Sequence, residues 1–361
     1  MTRRAWASTR KGLFELLREG KTWRVGRVSF LADPVTMFLP AGPDHPMIAA
    51  LNLGHFGVKL HASDDDGATW REIATPAYPP QPEGVEGDVP WKLVQVWSMA
   101  AAGGVIWAGT LPGGLFRSTD RGESWQLVES LWNMPARREW MGGGYNVPGI
   151  HSICIDPTDP RRVHVAISCG GVWFTEDGGA GWRPRAQGLR ADFMPPERQG
   201  DENIQDAHLI AQCASAPQVL WCQHHNGVWR TSNGGAHWSE LFPPLTNFGF
   251  TVAAHPHDPE TAWFVPAIKD ERRVPVESAL FVHRTQDGGK TFEELRKGLP
   301  QEHCYDLVYR HGLAVSPDGQ HLMMGTTTGN LWASSDGGDS WQTVSNHLPP
   351  VFALRFDGVC G

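Results

Sequence analysis

The sequence predicts an all-β fold, a seven-bladed β-propeller, from three observations. An eight-residue turn motif recurs along the whole chain, short strand-like runs flank every copy, and the two chain ends complement each other. The motif reads [S/T]-x-[D/N]-x-G-x-x-[W/F]. Its copies are Ser63-Asp-Asp65-Asp-Gly67-Ala-Thr-Trp70, Ser118-Thr-Asp120-Arg-Gly122-Glu-Ser-Trp125 and Thr175-Glu-Asp177-Gly-Gly179-Ala-Gly-Trp182. They continue with Thr231-Ser-Asn233-Gly-Gly235-Ala-His-Trp238, Thr285-Gln-Asp287-Gly-Gly289-Lys-Thr-Phe292 and Ser334-Ser-Asp336-Gly-Gly338-Asp-Ser-Trp341. A shortened copy, Glu19-Gly20-Lys21-Thr22-Trp23, lies one period before the first. A spacing of roughly 50 to 57 residues suits one four-stranded blade per repeat. With 41 Gly, 17 Trp and only 19% charged residues, the composition also favours short strands and tight turns over helices.

Each motif position has a mechanical task. The Asp or Asn oxygen accepts backbone N–H groups inside the turn, Gly supplies positive φ, and the Ser or Thr hydroxyl bonds locally. The aromatic ring is expected to fold back over the turn onto its own blade. Strands are predicted before the motif at 58–61, 115–117, 172–174, 228–230, 280–283 and 331–333, and before those at 105–109, 163–167, 219–222 and 322–325. Innermost strands precede Pro/Asp turns, as at 150–156, 252–254 and 313–315. Residues 5–9 and 13–17 lack an inner partner, and 351–357 reads as the missing strand. The N-terminal strands and the C-terminal strand therefore close the ring in one shared blade, and the whole chain forms a single domain.

The turn motif is the Asp-box, or BNR, signature, so the chain resembles the sialidase-like Asp-box propellers over essentially its whole length. The resemblance implies fold more than activity, because glycosidases, sorting receptors and photosystem assembly factors share it. Sialidases in this group use an arginine triad, a tyrosine nucleophile paired with a glutamate, and an aspartic acid. The Arg-Ile-Pro motif that accompanies them is absent here. None of Tyr78, Tyr145, Tyr305 and Tyr309 sits beside a glutamate by motif, and sialidases have six blades. The repeated aspartates themselves read as structural staples.

The net charge of -8, with no basic stripe, excludes a nucleic-acid partner. No apolar run has the length of a signal peptide or a bilayer span, and no membrane partner is expected. Six cysteines, none in a CxxC pair, point to reduced thiols and a cytoplasmic protein.

Function is expected on one face. The motif turns and Pro/Asp turns share a face and are short, whereas the opposite face carries 74–91 (with Glu83, Glu86 and Asp88), 129–149, 186–206 and the insertion 269–278. Aligning the repeats places Met37, Trp97, His151, His208, Phe250, His311 and Phe352 at one position near the start of the innermost strands. A second position holds Arg10, His55, Pro112, Cys169, His225 and Thr327. Imidazoles of His55, His151, His208, His225 and His311 are thus expected to converge at the channel mouth on the long-loop face, as ligands of a divalent metal such as zinc or iron with an open position. Glu139, Glu197, Asp201 and Asp206, with Glu202, are the candidate catalytic or supporting carboxylates. Arg10, Trp97, Arg138, Trp140, Tyr145 and His224 are the candidate substrate contacts, and Trp91, Trp97, Trp132 and Trp140 offer rings on which a sugar could stack. The remaining histidines His45, His255, His257, His321 and His347 read as exposed turn residues.

Three functional readings follow. The first is a cytoplasmic metal-dependent hydrolase or lyase with a His-lined small-molecule pocket. The second is a glycan-active glycosidase using loop carboxylates at a separation of about 5 to 9.5 Å. The third is a non-enzymatic scaffold that binds a protein partner on the loop face.

Overall fold

A computed structural model describes residues 3–83, 89–143 and 145–358, so Glu86, Asp88 and Cys360 lie outside the described residues. It shows seven four-stranded antiparallel sheets. The innermost strands are Val35–Leu39, Gln95–Ala102, Ile150–Ile155, Ala207–Cys213, Gly249–Ala254, Leu313–Val315 and Val351–Phe356, and each packs against the next around a closed ring. The last blade joins Val351–Phe356 to Arg4–Thr9, Gly12–Glu19 and Thr22–Ser29, with Ala5 paired to Phe356 and Ala7 to Leu354. This is the expected closure of the ring, and it gives the N-terminal strand Arg4–Thr9 a partner on each side. No helix among the described residues is long and apolar enough to cross a membrane.

The motif turns are built as their residue types require. In the first copy Asp65 Oδ1 accepts from Ser63 Oγ (2.8 Å) and Thr69 N (2.8 Å), while Ser63 Oγ accepts from Gly67 N (2.9 Å). Gly67 has φ 77°, which a side chain would strain. Asn233 preserves the pattern, its amide oxygen accepting from Thr231 Oγ1 and His237 N at 2.8 and 3.0 Å. These bonds to the ionised form hold the Asp65, Asp120 and Asp287 carboxyls down at about 2. The aromatic residue behaves differently from the expectation. In three copies the indole reaches the outer edge of the preceding blade: Trp70 Nε1 donates to Ser29 Oγ (3.1 Å), Trp125 Nε1 to Ala74 O (3.0 Å) and Trp238 Nε1 to Arg185 O (2.8 Å), whereas Trp182 and Trp341 Nε1 have no partner among the described residues. The repeat therefore ties neighbouring blades together as well as closing its own turn.

The core lies between sheets. Trp6, Trp107, Trp221, Trp238 and Trp263 are completely buried in these layers. Removing one such indole from water stabilises the fold by several kcal/mol, on the order of 3–5 when truncated to Ala. A second set of ties runs round the ring near the channel. Thr36 Oγ1 donates to Val96 O (3.1 Å), Ser98 Oγ to Ile150 O (2.8 Å), His208 Nδ1 to Gly249 O (2.6 Å) and Thr251 Oγ1 to Arg310 O (2.6 Å).

The inner strands share one irregularity that matters for the site. Register shifts leave Thr36, Trp97, His151, His208, Phe250 and Phe352 unpaired at bulges near the start of their strands, on the long-loop face. A bulge re-aims the extra side chain and increases local twist. The predicted inner-strand position thus coincides with the bulge residue in these blades, except that Thr36, not Met37, occupies it in the first.

Candidate functional site

The buried centre of the long-loop face is Asp206, the residue just before the inner strand Ala207–Cys213. It is 3% exposed, and its Oδ1 accepts from the backbone N–H of Cys169 at 3.3 Å. Its Oδ2 lies 3.5 Å from His208 Nε2 and 3.5 Å from His225 Nδ1. The His208 ring stacks on Phe250 with centroids 4.6 Å apart and meets His225 edge-on at 5.4 Å. Phe248 and the exposed Phe193 flank His225. His225 itself is half-buried and opens into a cavity of about 300 Å³ lined also by Asn226, Phe248, Asp270 and Glu271.

Beside this cluster lies Arg310, buried, with its guanidinium 4.7 Å from the Trp97 ring and 6.0 Å from that of Phe250. Its Nε and Nη2 have no hydrogen-bond partner in the protein. Tyr145 meets Trp97 edge-on at 5.2 Å and is exposed. The mouth thus combines an anionic carboxylate, an unpaired guanidinium and several rings.

Electrostatics divide the roles. Burial pushes the Asp206 carboxyl up, but His208, the contacts from both imidazoles, and Arg310 overcome it and hold the group well below the usual carboxylate range. Burial lowers His208 despite Asp206, whereas the contact with Asp206 raises the half-buried His225. Asp206 is therefore ionised and His225 is the imidazole that carries a proton most readily. Burial raises the Cys169 thiol, with Asp206 adding to the effect, so that sulfur is a neutral neighbour.

The structure brings together Asp206, His208 and His225 from the sequence candidates, with Tyr145 exposed at the rim and Trp97 buried behind it. His151 is close, with its Nδ1 at 2.9 Å from Ser152 Oγ, its ring edge-on to Trp97 at 5.5 Å and its Nε2 unpartnered. His311 does not join this cluster: the ligand atoms that converge are those of Asp206, His208 and His225, and His311 Nε2 instead donates across the channel to the carbonyl of His151 at 2.8 Å, which ties two non-adjacent blades. His55 is exposed on a short 3₁₀ turn, Gly54–Phe56, with its ring against Phe56, because the loop swings it out over the first blade. His224 is fully buried and its Nδ1 accepts from Asn226 N (3.0 Å), so it shapes a turn and does not face substrate.

Other candidates also resolve as structural. Trp140 is buried and its Nε1 donates to Asn203 Oδ1 (2.8 Å), pinning the 129–149 loop to the 186–206 loop. Trp132 is likewise buried, under the guanidinium of Arg137 at 4.0 Å, so neither ring is free to stack on a sugar. Glu139 and Asp201 both bind Arg198 Nη2, at 2.6 and 2.7 Å, and Asp201 is lowered by that contact. Glu202 Oε2 accepts from Ala186 N at 2.7 Å. Glu197 and Arg138 are exposed on 3₁₀ turns, and Arg10 lines a separate cavity of about 590 Å³ with Asn52, Phe56, Gln95 and Phe352. His321, expected at the surface, is buried against Asp318 at 3.1 Å. The sequence reading missed Arg310 and Phe248. The signal for Arg310 was a lone cation immediately before His311, at the head of an apolar inner strand.

No protein-family model matches the chain. A probable oligoxyloglucan-reducing end-specific xyloglucanase of Neosartorya fischeri is 24% identical over 264 residues, 65% of this chain and 30% of that protein. A xyloglucanase of a Paenibacillus species is 23% identical over 292 residues, 71% of this chain and 26% of that protein. The chain therefore spans about 30% of the length of the curated relatives it matches. Among solved structures, a GH74 xyloglucanase from Xanthomonas campestris superposes with TM-score 0.64 at 18% identity, covering 96% of this chain and 53% of that one. YCF48 from Cyanidioschyzon merolae superposes with TM-score 0.55 at 12% identity, covering 95% and 98%. These likenesses establish the propeller fold.

Proposed function

We propose that this chain acts on glycans, taking a saccharide at the channel mouth of the long-loop face with Asp206 as its principal reactive group. The observation that carries the proposal is the ionised, buried Asp206 beneath a rim of aromatic rings, in a propeller whose curated relatives are xyloglucanases. Those relatives favour this reading over a small-molecule hydrolase.

The chemistry fits a sugar. Tyr145, exposed at the mouth, presents its ring to the C–H face of a pyranose, with Trp97 packed edge-on behind it and Arg310 buried beside them. An anionic Asp206 accepts from sugar hydroxyls and favours positive charge at the anomeric carbon, the charge that develops when a glycosidic bond breaks. Glu139 and Asp201 share Arg198 and serve to position the overhanging loop. Cytoplasmic residence belongs to the same proposal, supported by five buried cysteines that are all free thiols.

The test is direct. Xyloglucan oligosaccharides and unbranched β-glucan oligosaccharides are titrated into the protein by calorimetry, and new reducing ends are measured over hours. Binding that weakens about tenfold in Tyr145→Ala, one aromatic contact's worth, supports the proposal. Hydrolysis lost in Asp206→Asn supports its catalytic part. Absence of both binding and product across these glycans overturns it.

A further inference from the structure

We propose that Asp206, His208 and His225 bind a single divalent transition-metal ion at the channel mouth. Asp206 Oδ2 is 3.5 Å from each imidazole nitrogen, and the three ligand atoms lie within 4.8 Å of one another. Nitrogen and oxygen ligands held at about 2.1 Å around a tetrahedral or octahedral ion are themselves about 3.0–3.4 Å apart. Small side-chain shifts therefore convert the observed triangle into one face of a coordination shell.

The hydrogen bonding of His208 makes the stronger argument. Its Nδ1 is 2.6 Å from the carbonyl oxygen of Gly249, which can only accept, so Nδ1 carries the hydrogen. In the neutral ring Nε2 is then a bare lone pair, and it points at the carboxylate oxygen of Asp206. Two acceptors facing each other in a buried site repel unless a cation lies between them. An imidazole fixed by a backbone carbonyl on one nitrogen, with the other directed at a shared centre, is the arrangement by which proteins orient metal ligands.

The surroundings supply the rest. Phe250 stacks on His208 and the Cys169 N–H holds the second oxygen of Asp206, so two ligands are pre-placed on rigid backbone. His225 borders the cavity of about 300 Å³, which gives the ion access and leaves positions for water or ligand. Two imidazoles and one carboxylate with open positions suit zinc, iron(II), manganese or cobalt(II). His311 and His224 lie outside the group of ligand atoms that converge on Asp206 among the described residues.

The competing arrangement is a proton on one imidazole in place of the ion, and the test separates the two. Protein stripped with a chelator is titrated with cobalt(II), read by visible absorption and by calorimetry, and then challenged with zinc(II). One equivalent is expected, with ligand-field bands of a nitrogen–oxygen site that zinc abolishes. His225→Ala, at a half-exposed position, is expected to weaken binding by about a hundredfold, as is Asp206→Asn, while the distant His55→Ala leaves it unchanged. No uptake at about 1 mM cobalt(II) or zinc(II) overturns the proposal. So does affinity that is the same in His225→Ala, Asp206→Asn and the parent. Glycan titrations on stripped and loaded protein separate this proposal from the previous one: metal uptake without glycan binding overturns only the glycan reading, and glycan binding with no metal uptake overturns only the metal site.

Discussion

Acid should unfold this protein well before its carboxylates are titrated. His164, His283 and His311 are buried and neutral, with burial lowering them to about 4, 4 and 3. In the unfolded chain each returns to about 6.5, so below that pH the unfolded state binds protons that the folded state refuses. Stability present at neutral pH is therefore lost as pH falls from 6.5 toward 4. Each histidine contributes a slope that rises to about 1.4 kcal/mol per pH unit, and the three together remove roughly 7 kcal/mol between pH 6.5 and 4.5. That is comparable to the whole stability of an ordinary domain, about 5–15 kcal/mol. His225 has the opposite sign: raised by Asp206, it adds stability that is complete below 6.5 and lost as pH rises, so it does not offset the acid loss. Urea unfolding at a series of pH values between 7 and 5 measures the slope directly as proton uptake on unfolding, expected to reach at least about three near pH 5, since burial lowers His151 and His224 as well. His283→Leu is the diagnostic variant. That imidazole is 1% exposed between Phe281 and Phe292, with an unpartnered Nε2, and its replacement should lower proton uptake by about one. A stability profile flat from pH 7 to 5, or an unchanged uptake in His283→Leu, would refute the reasoning.

Three shorter predictions follow from the scaffold. Asp120→Ala should lower the melting temperature more than Asp120→Asn, because an amide oxygen still accepts from the turn as Asn233 does; equal melting temperatures would sink this account of the motif. Thr251→Val should destabilise by about 1–2 kcal/mol in urea, since it strips the buried Arg310 carbonyl of its hydroxyl partner without changing shape. Thiol titration of the native protein should detect at most one fast cysteine. The five described thiols are buried, and burial drives Cys154 up to about 12, so rapid reaction of two or more would contradict the packing.

The propeller, its blade number and its closure were legible because a repeated turn is local chemistry. Ser63, Asp65 and Gly67 lie within five residues, and their bonds depend on neighbours in sequence. The same periodicity placed Trp97, His151, His208, Phe250 and Phe352 at one equivalent position, which proved to be a bulge in each blade. What periodicity could not supply was where each side chain's bonding atoms go. His208 and His311 occupy the same position by sequence, yet one faces Asp206 while the other spans the channel to the carbonyl of His151. Likewise Glu139 and Asp201 carry charges that any sequence reading would offer to a substrate, and Arg198 neutralises both. Repetition along the chain therefore determined the scaffold. The choice of Asp206, His208, His225 and Arg310 as the site was made by tertiary structure, because burial and the partner of each polar atom are set by residues from other blades.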